Sequence, residues 1–424
     1  MSDRKKIAVI GAGISGLGAA YLLWERADVT IYEREGYLGG HSRTLTVEVE
    51  GRTVPVDTGF IVFNDRNYPL LNQLFKELEV PVTSSDMSFG VSIDNGWLEY
   101  GSTGLMGLFG SVRNVLRPHM WRMIRDILIF NHRAIRYLRA PANLTLEDCL
   151  NEIGVGRWFR DYYLLPMGGS IWSCPVEQML KFPAATFLRF FHNHGLTTIS
   201  DHPKWYSVLG GSREYVMRMI QRMGTSVRIR PGVVSVERRD DQLGIQVTED
   251  SGRVSTYDEV IIATHPDQAL GMIKNPTKKE RRILSAFRYQ SNEVILHTDA
   301  SFMPKRRSAW ASWVYRSEER EDHQPAISLS YWMNNLQSLD TETPVIVTLN
   351  PSRKPAPGCV LNRHTFDHPV FDQAAIRAQE RVNEIQGRNG LWFCGAYQRN
   401  GFHEDGLWSA VRVVESMGVE IPWQ

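Results

Sequence analysis

The stretch Ile7-Ala8-Val9-Ile10-Gly11-Ala12-Gly13-Ile14-Ser15-Gly16 decides the fold. An apolar run ends in a Gly-x-Gly-x-x-Gly turn, and Leu17, Ala20, Tyr21 and Trp24 continue it with helical spacing. Strand, tight turn and helix in that order are the context that a dinucleotide fingerprint requires. Glycines let the backbone turn sharply and approach a pyrophosphate, whose charge then rests on the unpaired N–H groups and positive end of the helix. A second apolar run, Val29 to Tyr32, ends in Glu33, at the spacing where a carboxylate accepts hydrogen bonds from an adenosine ribose. An acid there disfavours a 2′-phosphate. A plain βαβ turn with small residues for helix packing leaves Glu33 unexplained. Gly11, Gly13, Ile14, Ser15, Gly16 and Glu33 are therefore expected to hold a dinucleotide.

The 424 residues suffice for two domains and a large buried cofactor. A formal net charge of +1 argues against a nucleic-acid partner. Cys149, Cys174, Cys359 and Cys394 show no paired spacing, so neither a zinc site nor a disulfide framework is expected, and a reducing cytoplasm fits. There is no HExxH or comparable ligand spacing, and no metal is expected. Only Met1 to Lys6 precede the first strand, which leaves no apolar segment of signal-peptide length, and no run reaches the roughly 18 apolar residues of a membrane span.

After Glu33 comes Leu38-Gly39-Gly40-His41-Ser42-Arg43-Thr44, and the far end of the chain carries Gly395-Ala396 and Gly401-Phe402-His403-Glu404-Asp405-Gly406. The Gly39-Gly40 pair with Arg43 nearby resembles the second motif of the flavin amine oxidoreductase superfamily, which includes amine oxidases, protoporphyrinogen oxidases and carotenoid desaturases. Many members place the arginine directly after the glycines. Here His41 takes that place and Arg43 follows two residues later, a departure that touches the arginine and not the backbone role of the glycines. Val56 to Asn64, Tyr331 to Asn334, His368 to Asp372 and Gly401 to Gly406 are similar to bacterial FAD-binding proteins encoded beside, or fused to, cyclopropane-fatty-acid-synthase-like methyltransferases. The resemblance covers nearly the whole chain. It implies FAD, a lipid substrate, a lipid methyltransferase as a partner, and an α/β fold with a Rossmann-like FAD-binding domain and an inserted α+β substrate-binding domain. It also implies FAD contacts at Gly39, Gly40, Arg43, Gly395, Glu404, Gly406 and Leu407, and at Val234 beside Val233, where the superfamily approaches the adenine. Glu404 and Asp405, as acids at a helix start, equally suit capping.

The nucleotide signals fall in three blocks, 1–66, 204–272 and 385–424, that must meet around one cofactor. The expected FAD-binding domain is therefore discontinuous, and 67–203 with 273–384 remain for the substrate-binding domain. Gly210-Gly211-Ser212 opens the middle block, which continues through a helix to Met223, alternating strands from Val227 to Val247 with a turn at Asp240-Asp241, and a buried strand at Val260 to Ala263. Leu391 to Phe393 begins the last block, and a helix is expected from Leu407 to Met417 with its amino end towards the flavin. The first insertion reads as mostly helical, with Pro69 at a helix start ahead of Leu70, Leu71, Leu74, Phe75 and Leu78. The second mixes strand-like runs, such as Val294 to Leu296 and Pro344 to Val347, with a helix after Pro369; a sheet flooring the cavity is expected.

Residues 105–139 interleave large apolar side chains with Arg113, Arg117, Arg122, Arg125, Arg133, Arg136 and Arg139 against one acid, Asp126. This is the composition of a basic amphipathic surface. It suits peripheral contact with anionic lipid at the inner face of a membrane, and equally suits a charged outer face of a domain helix. For the chemistry, a flavin carries the redox step and the protein holds a substrate C–H bond against it. N–H groups near Gly406 and Leu407 would stabilise charge on the reduced ring. His403 and His364 are the candidate catalytic proton acceptors, because an imidazole titrates near neutral pH and both flank the expected flavin site. Lys305 is the lysine nearest in sequence to the one that amine oxidases hold against flavin. Trp310, Trp313, Tyr315, Tyr331 and Trp332 would line a channel or belong to the core.

The leading expectation is an FAD-dependent oxidoreductase that dehydrogenates or desaturates a lipid acyl chain. An amine or porphyrinogen-type oxidase, a flavin-dependent double-bond isomerase and a non-catalytic flavin-binding partner of a lipid methyltransferase are the rivals.

Overall fold

The first apolar run becomes the strand Lys6–Ile10, the centre of a five-stranded parallel sheet in the computed structural model, which describes residues 4–141, 143–172, 179–198, 202–239, 244–319 and 325–423. The order across this sheet is Val227–Arg230, Asp28–Tyr32, Lys6–Ile10, Glu259–Ile262, Leu391–Phe393, with every pairing parallel. Parallel strands covered on both faces need near-continuous apolar sequence, and the inner strands read so, whereas the edge strand Val227–Arg230 alternates with arginines. Strands from widely separated parts of the chain thus lie side by side in one sheet.

The helix Ile14–Leu23 is buried along its whole length. One side faces the sheet, and the last helix, His403–Ser416, covers the other so closely that a side-chain carbon at Gly18 would stand 2.7 Å from a Leu407 methyl group. That last helix begins four residues before the expected Leu407, because Asp405 accepts the Phe402 N–H at 2.9 Å and caps an earlier turn. A three-stranded antiparallel sheet, Val233–Arg238, Ile245–Glu249 and Val254–Tyr257, lies beside the parallel one. The turn expected at Asp240-Asp241 lies outside the described residues, as does Cys174.

The chain does not leave the nucleotide layer at residue 67. The helix Pro69–Glu77 starts at its proline and buries Leu71, Leu74 and Phe75 in the same core as Val9, Leu17 and Tyr215. The strand Val82–Ser84 then pairs with Trp205–Val208. Likewise Lys278–Leu284 and Gln373–Gln379 bury Ile283, Leu284, Ala375 and Ala378 against Val260 and Ile262. A parallel sheet must be covered on both faces, and these helices, drawn from the segments assigned to the substrate domain, supply part of the cover.

The second layer is a seven-stranded sheet ordered Val360–Val370, Arg288–His297, Ile346–Leu349, Pro325–Trp332, Trp313–Glu319, Phe89–Ile93, Leu98–Gly101. Its pairings are antiparallel except that of Trp313–Glu319 with Phe89–Ile93. Two strands therefore come from the first insertion. The rest of that insertion is a helical lobe in which Pro118–Arg133, Leu146–Ile153 and Ala184–Asn193 enclose Met120, Met123, Phe130, Phe159 and Phe187. Among the described residues no helix is long and apolar enough to cross a membrane.

Candidate active site

Close approach of backbone to backbone builds the nucleotide edge. Gly11 has φ +100°, and an added side-chain carbon would lie 2.9 Å from the Ala263 carbonyl oxygen; at Gly16 it would lie 1.8 Å from the Gly11 oxygen. Gly13 differs, for nothing of the protein stands within 4 Å of where its side chain would begin. With Ile14 and Ser15 it lines a cavity of about 770 Å³. The helix behind it has neither a side-chain cap nor an acid in its first turn, which leaves its N–H groups for a bound anion. Glu33 also lines the cavity; its carboxylate accepts the Ala12 N–H at 2.7 Å and the Glu35 N–H at 2.9 Å, and its remaining lone pairs suit ribose hydroxyls. Gly40 packs on the Gly13 backbone, so the two glycine motifs form one cradle. Donors for a pyrophosphate, an acid for a ribose, and a void that any side chain at Gly13 would fill all fit FAD.

Other expected contacts stand elsewhere. Gly395 lines the cavity, but Gly39 makes a tight turn against the Ser42 carbonyl. Val234 is 54% exposed, and its neighbour Val233 is the one that reaches the cavity, because alternate strand residues face opposite ways. Arg43 donates to Thr58 at 3.1 Å and Asn362 at 3.2 Å and does not line the cavity. Glu404 accepts the N–H groups of Leu70 and Leu71 at 2.9 and 3.0 Å, capping the Pro69–Glu77 helix, while burial pushes its carboxyl up to about 7. Gly406 lets the last helix close on Ile14 and Ser15, and Leu407 is buried against Gly18. These residues fix how the segments pack around the cradle.

Away from the glycines the cavity is apolar, walled by Met87, Phe89, Met167, Ile171, Phe190 and Leu196. Trp313 and Tyr331 also line it, with ring centroids 4.7 Å apart and planes at 82°, so their faces are not parallel. The buried Nε1–H of Trp313 has no hydrogen-bond partner among the described residues, a cost that an acceptor on a bound molecule would relieve. Of the remaining rings, Tyr315 is buried with the helical lobe, and Trp310 lies in a separate cleft under the Arg307 guanidinium. Lys305 lies in that cleft too, and among the described residues no lysine lines the main cavity.

Six histidines line the cavity: His41, His194, His265, His364, His368 and His403. Burial pushes His403 down to about 3 and His194 and His368 to about 4, and lowers His41, His265 and His364, so all six are neutral at pH 7. His403 stacks on Phe60 with centroids 3.9 Å apart, and its Nε2 lies 2.7 Å from the Tyr215 hydroxyl and 3.2 Å from that of Ser42. The His364 imidazole makes no hydrogen bond among the described residues. Tyr289 and Phe366 were not singled out in the sequence, and neither was the face that they share with histidines: His265 stacks on Tyr289 at 4.0 Å and His41 on Phe366 at 4.6 Å. The alternation His364, Phe366, His368 along one strand was the available signal. The walls from the helical lobe had none. No group of residues among those described has the makings of a metal site.

A parallel sheet with a glycine turn, a ribose-binding acid and a cavity running from there beneath a mixed sheet define an FAD-binding oxidoreductase. The model of the flavin containing amine oxidoreductase family matches residues 14–386, and the chain belongs to that family. It is 27% identical over 256 residues to flavin-containing amine oxidase A of Canis lupus familiaris, covering 57% of this chain and 46% of that protein. Over 70 residues it is 44% identical to carotenoid phi-ring synthase of Streptomyces griseus, covering 16% of this chain and 14% of the other. The matches thus span under half the length of these curated relatives. Among solved structures it resembles a CLA-producing fatty acid isomerase from P. acnes, with TM-score 0.69 and 15% identity over 98% of this chain and 99% of that one. Cyclohexylamine oxidase from Brevibacterium oxydans gives TM-score 0.69 and 14% identity over 98% of this chain and all of the other. At such identities the likeness is one of fold.

Proposed function

We propose that the chain dehydrogenates the acyl part of a lipid, with FAD as acceptor. The apolar wall of Met87, Phe89, Met167, Ile171, Phe190 and Leu196 carries this reading. Each methylene transferred there from water contributes about 0.8 kcal/mol, whereas an alkylammonium would lose its hydration with no acid at that wall to replace it. The acids lining the cavity are Glu33 and Glu35, on the nucleotide edge, and Asp367. A cage of parallel rings for an amine is not supplied by Trp313 and Tyr331.

Bound FAD supplies a two-electron acceptor for a hydride. The apolar wall holds the chain extended and excludes water, and Trp313 Nε1–H donates to the acyl carbonyl or carboxylate. His364, neutral and without a hydrogen-bond partner among the described residues, takes the proton from the neighbouring carbon. The substrate loses two hydrogens and gains one double bond, and oxygen or another oxidant takes the electrons. A lipid methyltransferase as partner belongs to the same reading and rests on sequence resemblance.

Likeness to a fatty acid isomerase favours a second reading, in which hydride leaves and returns and no net oxidation occurs. The test is anaerobic addition of unsaturated or methyl-branched phospholipid to the FAD-loaded protein. Loss of the visible flavin absorbance with a product two hydrogens lighter is expected. A product of unchanged mass selects the isomerase, and bleaching by amines but not by lipids overturns the lipid reading.

A further inference from the structure

The helix Pro118–Arg133 has two faces of opposite fate. Met120, Met123 and Phe130 point inward and are buried in the helical lobe. Trp121 and Leu128, two turns apart on the outer face, are each about half exposed, at 52% and 51%. Met106 and Leu116, from the segment before it, are 83% and 77% exposed, and Val112 and Ile135 are exposed as well. Large exposed apolar side chains gathered along one segment mark an interaction site.

Arginine surrounds it. Arg113, Arg122, Arg136 and Arg139 are exposed and form no ion pair among the described residues. Asp126, the only acid between 105 and 139, is buried and held by Arg125 at 2.8 Å. Since the whole chain carries only +1, its remainder is net negative while this segment is strongly basic. The surface is also pre-formed: Trp121 Nε1–H donates to the Val115 carbonyl at 2.8 Å, and its ring lies 5.2 Å from that of Phe109.

We propose that this face docks the protein on an anionic lipid bilayer, with the arginines at phosphate level and Leu116, Trp121 and Leu128 in the interface. A second copy of the chain is a poorer occupant, because pairing the face with itself sets arginines against arginines. The inner side of the same helix belongs to the apolar cluster that includes Met167, Ile171 and Phe190, which wall the cavity, so the docked face and the cavity share one lobe. Docking stands independently of the substrate reading.

The test is co-sedimentation of the FAD-loaded protein with vesicles of saturated phosphatidylcholine alone, or mixed with saturated phosphatidylglycerol, lipids that offer no double bond or branch. Binding to the anionic vesicles that weakens with salt is expected, with a blue shift of tryptophan emission that the variant lacking Trp121 does not show. Trp121→Ser with Leu128→Ser should reduce the bound fraction about tenfold or more while visible flavin absorbance and Tm stay unchanged. Arg113→Gln with Arg122→Gln and Arg136→Gln, which leaves the apolar side chains in place, should remove the preference for anionic lipid. Equal binding to both vesicle types, undiminished binding by either variant, or a dimer that the Trp121→Ser and Leu128→Ser variant dissociates would overturn the proposal.

Discussion

The Tyr215 hydroxyl lies 2.7 Å from Nε2 of His403, and the Ser42 hydroxyl reaches both, at 2.6 and 3.2 Å. These residues come from the three separate segments that carry nucleotide motifs, so one buried node ties the segments together at the cavity. In an environment of low dielectric such a node stabilises only when every member has its partner. Tyr215→Phe should therefore lower stability by about 1 to 3 kcal/mol while FAD remains bound, which denaturant unfolding of the holoprotein measures.

Gly13 and Gly16 stand three residues apart and should fail differently. At Gly16 an added carbon meets the Gly11 carbonyl at 1.8 Å, so Gly16→Ala should yield little folded protein. At Gly13 the added group meets only the cavity. Gly13→Val should keep its far-ultraviolet circular dichroism and lose the yellow colour; retained FAD in that variant would refute the placement of the pyrophosphate.

Buried histidines set the acid limb of stability. His403 at about 3, and His194, His297 and His368 at about 4, lie below the unfolded value of about 6.5. Between those limits the unfolded chain binds more protons, so these four make stability rise with pH from about 4 to 6.5. Glu404 at about 7, with Asp405 and Asp57 at about 6, act in the opposite sense, because the folded chain keeps protons that the unfolded chain has released. Four rising contributions outnumber three falling ones, and Tm should climb across that window. Glu404→Gln removes one falling contribution, so the Tm of that variant minus that of the wild type should increase from pH 4.5 to 7.

Lys305 lies in the cleft with Arg307 and Trp310, away from the nucleotide-lined cavity. Lys305→Met should leave the rate of flavin reduction within about twofold of wild type in stopped-flow measurements. A loss of several hundredfold would restore the amine-oxidase reading of that lysine.

His364→Ala should slow flavin reduction by about 10² to 10⁴ with FAD retained, the range expected when a positioned proton acceptor is removed. Substitution of His403 by Phe should instead show its effect first in Tm, since its ring packs on Phe60 and its Nε2 is already engaged.

The nucleotide edge was legible because its signals are local. An apolar strand, a glycine turn and an acid at the end of the next strand sit within thirty or so residues, and backbone sterics at Gly11 and Gly16 leave the chain few alternatives. The capping of its own helix start by Asp405 was readable for the same reason, whereas Glu404 caps a different helix, which begins at Pro69 more than three hundred residues away and which no local signal announces. Domain limits were less legible: the stripe of Leu71, Leu74 and Phe75 announces a buried helix face without saying which core buries it.

The sequence by itself determined a parallel nucleotide-binding sheet, its FAD-binding turn and a basic apolar segment at 105–139. Only the tertiary structure decided that His403 is enclosed in a hydrogen-bonded node while His364 is left open, that Lys305 stands in another cleft, and that Trp121 and Leu128 face solvent. The physical reason is range. Periodicity and turn geometry are fixed by neighbours along the chain, whereas burial, pKa and the lining of a cavity are fixed by whichever distant segments pack against a residue.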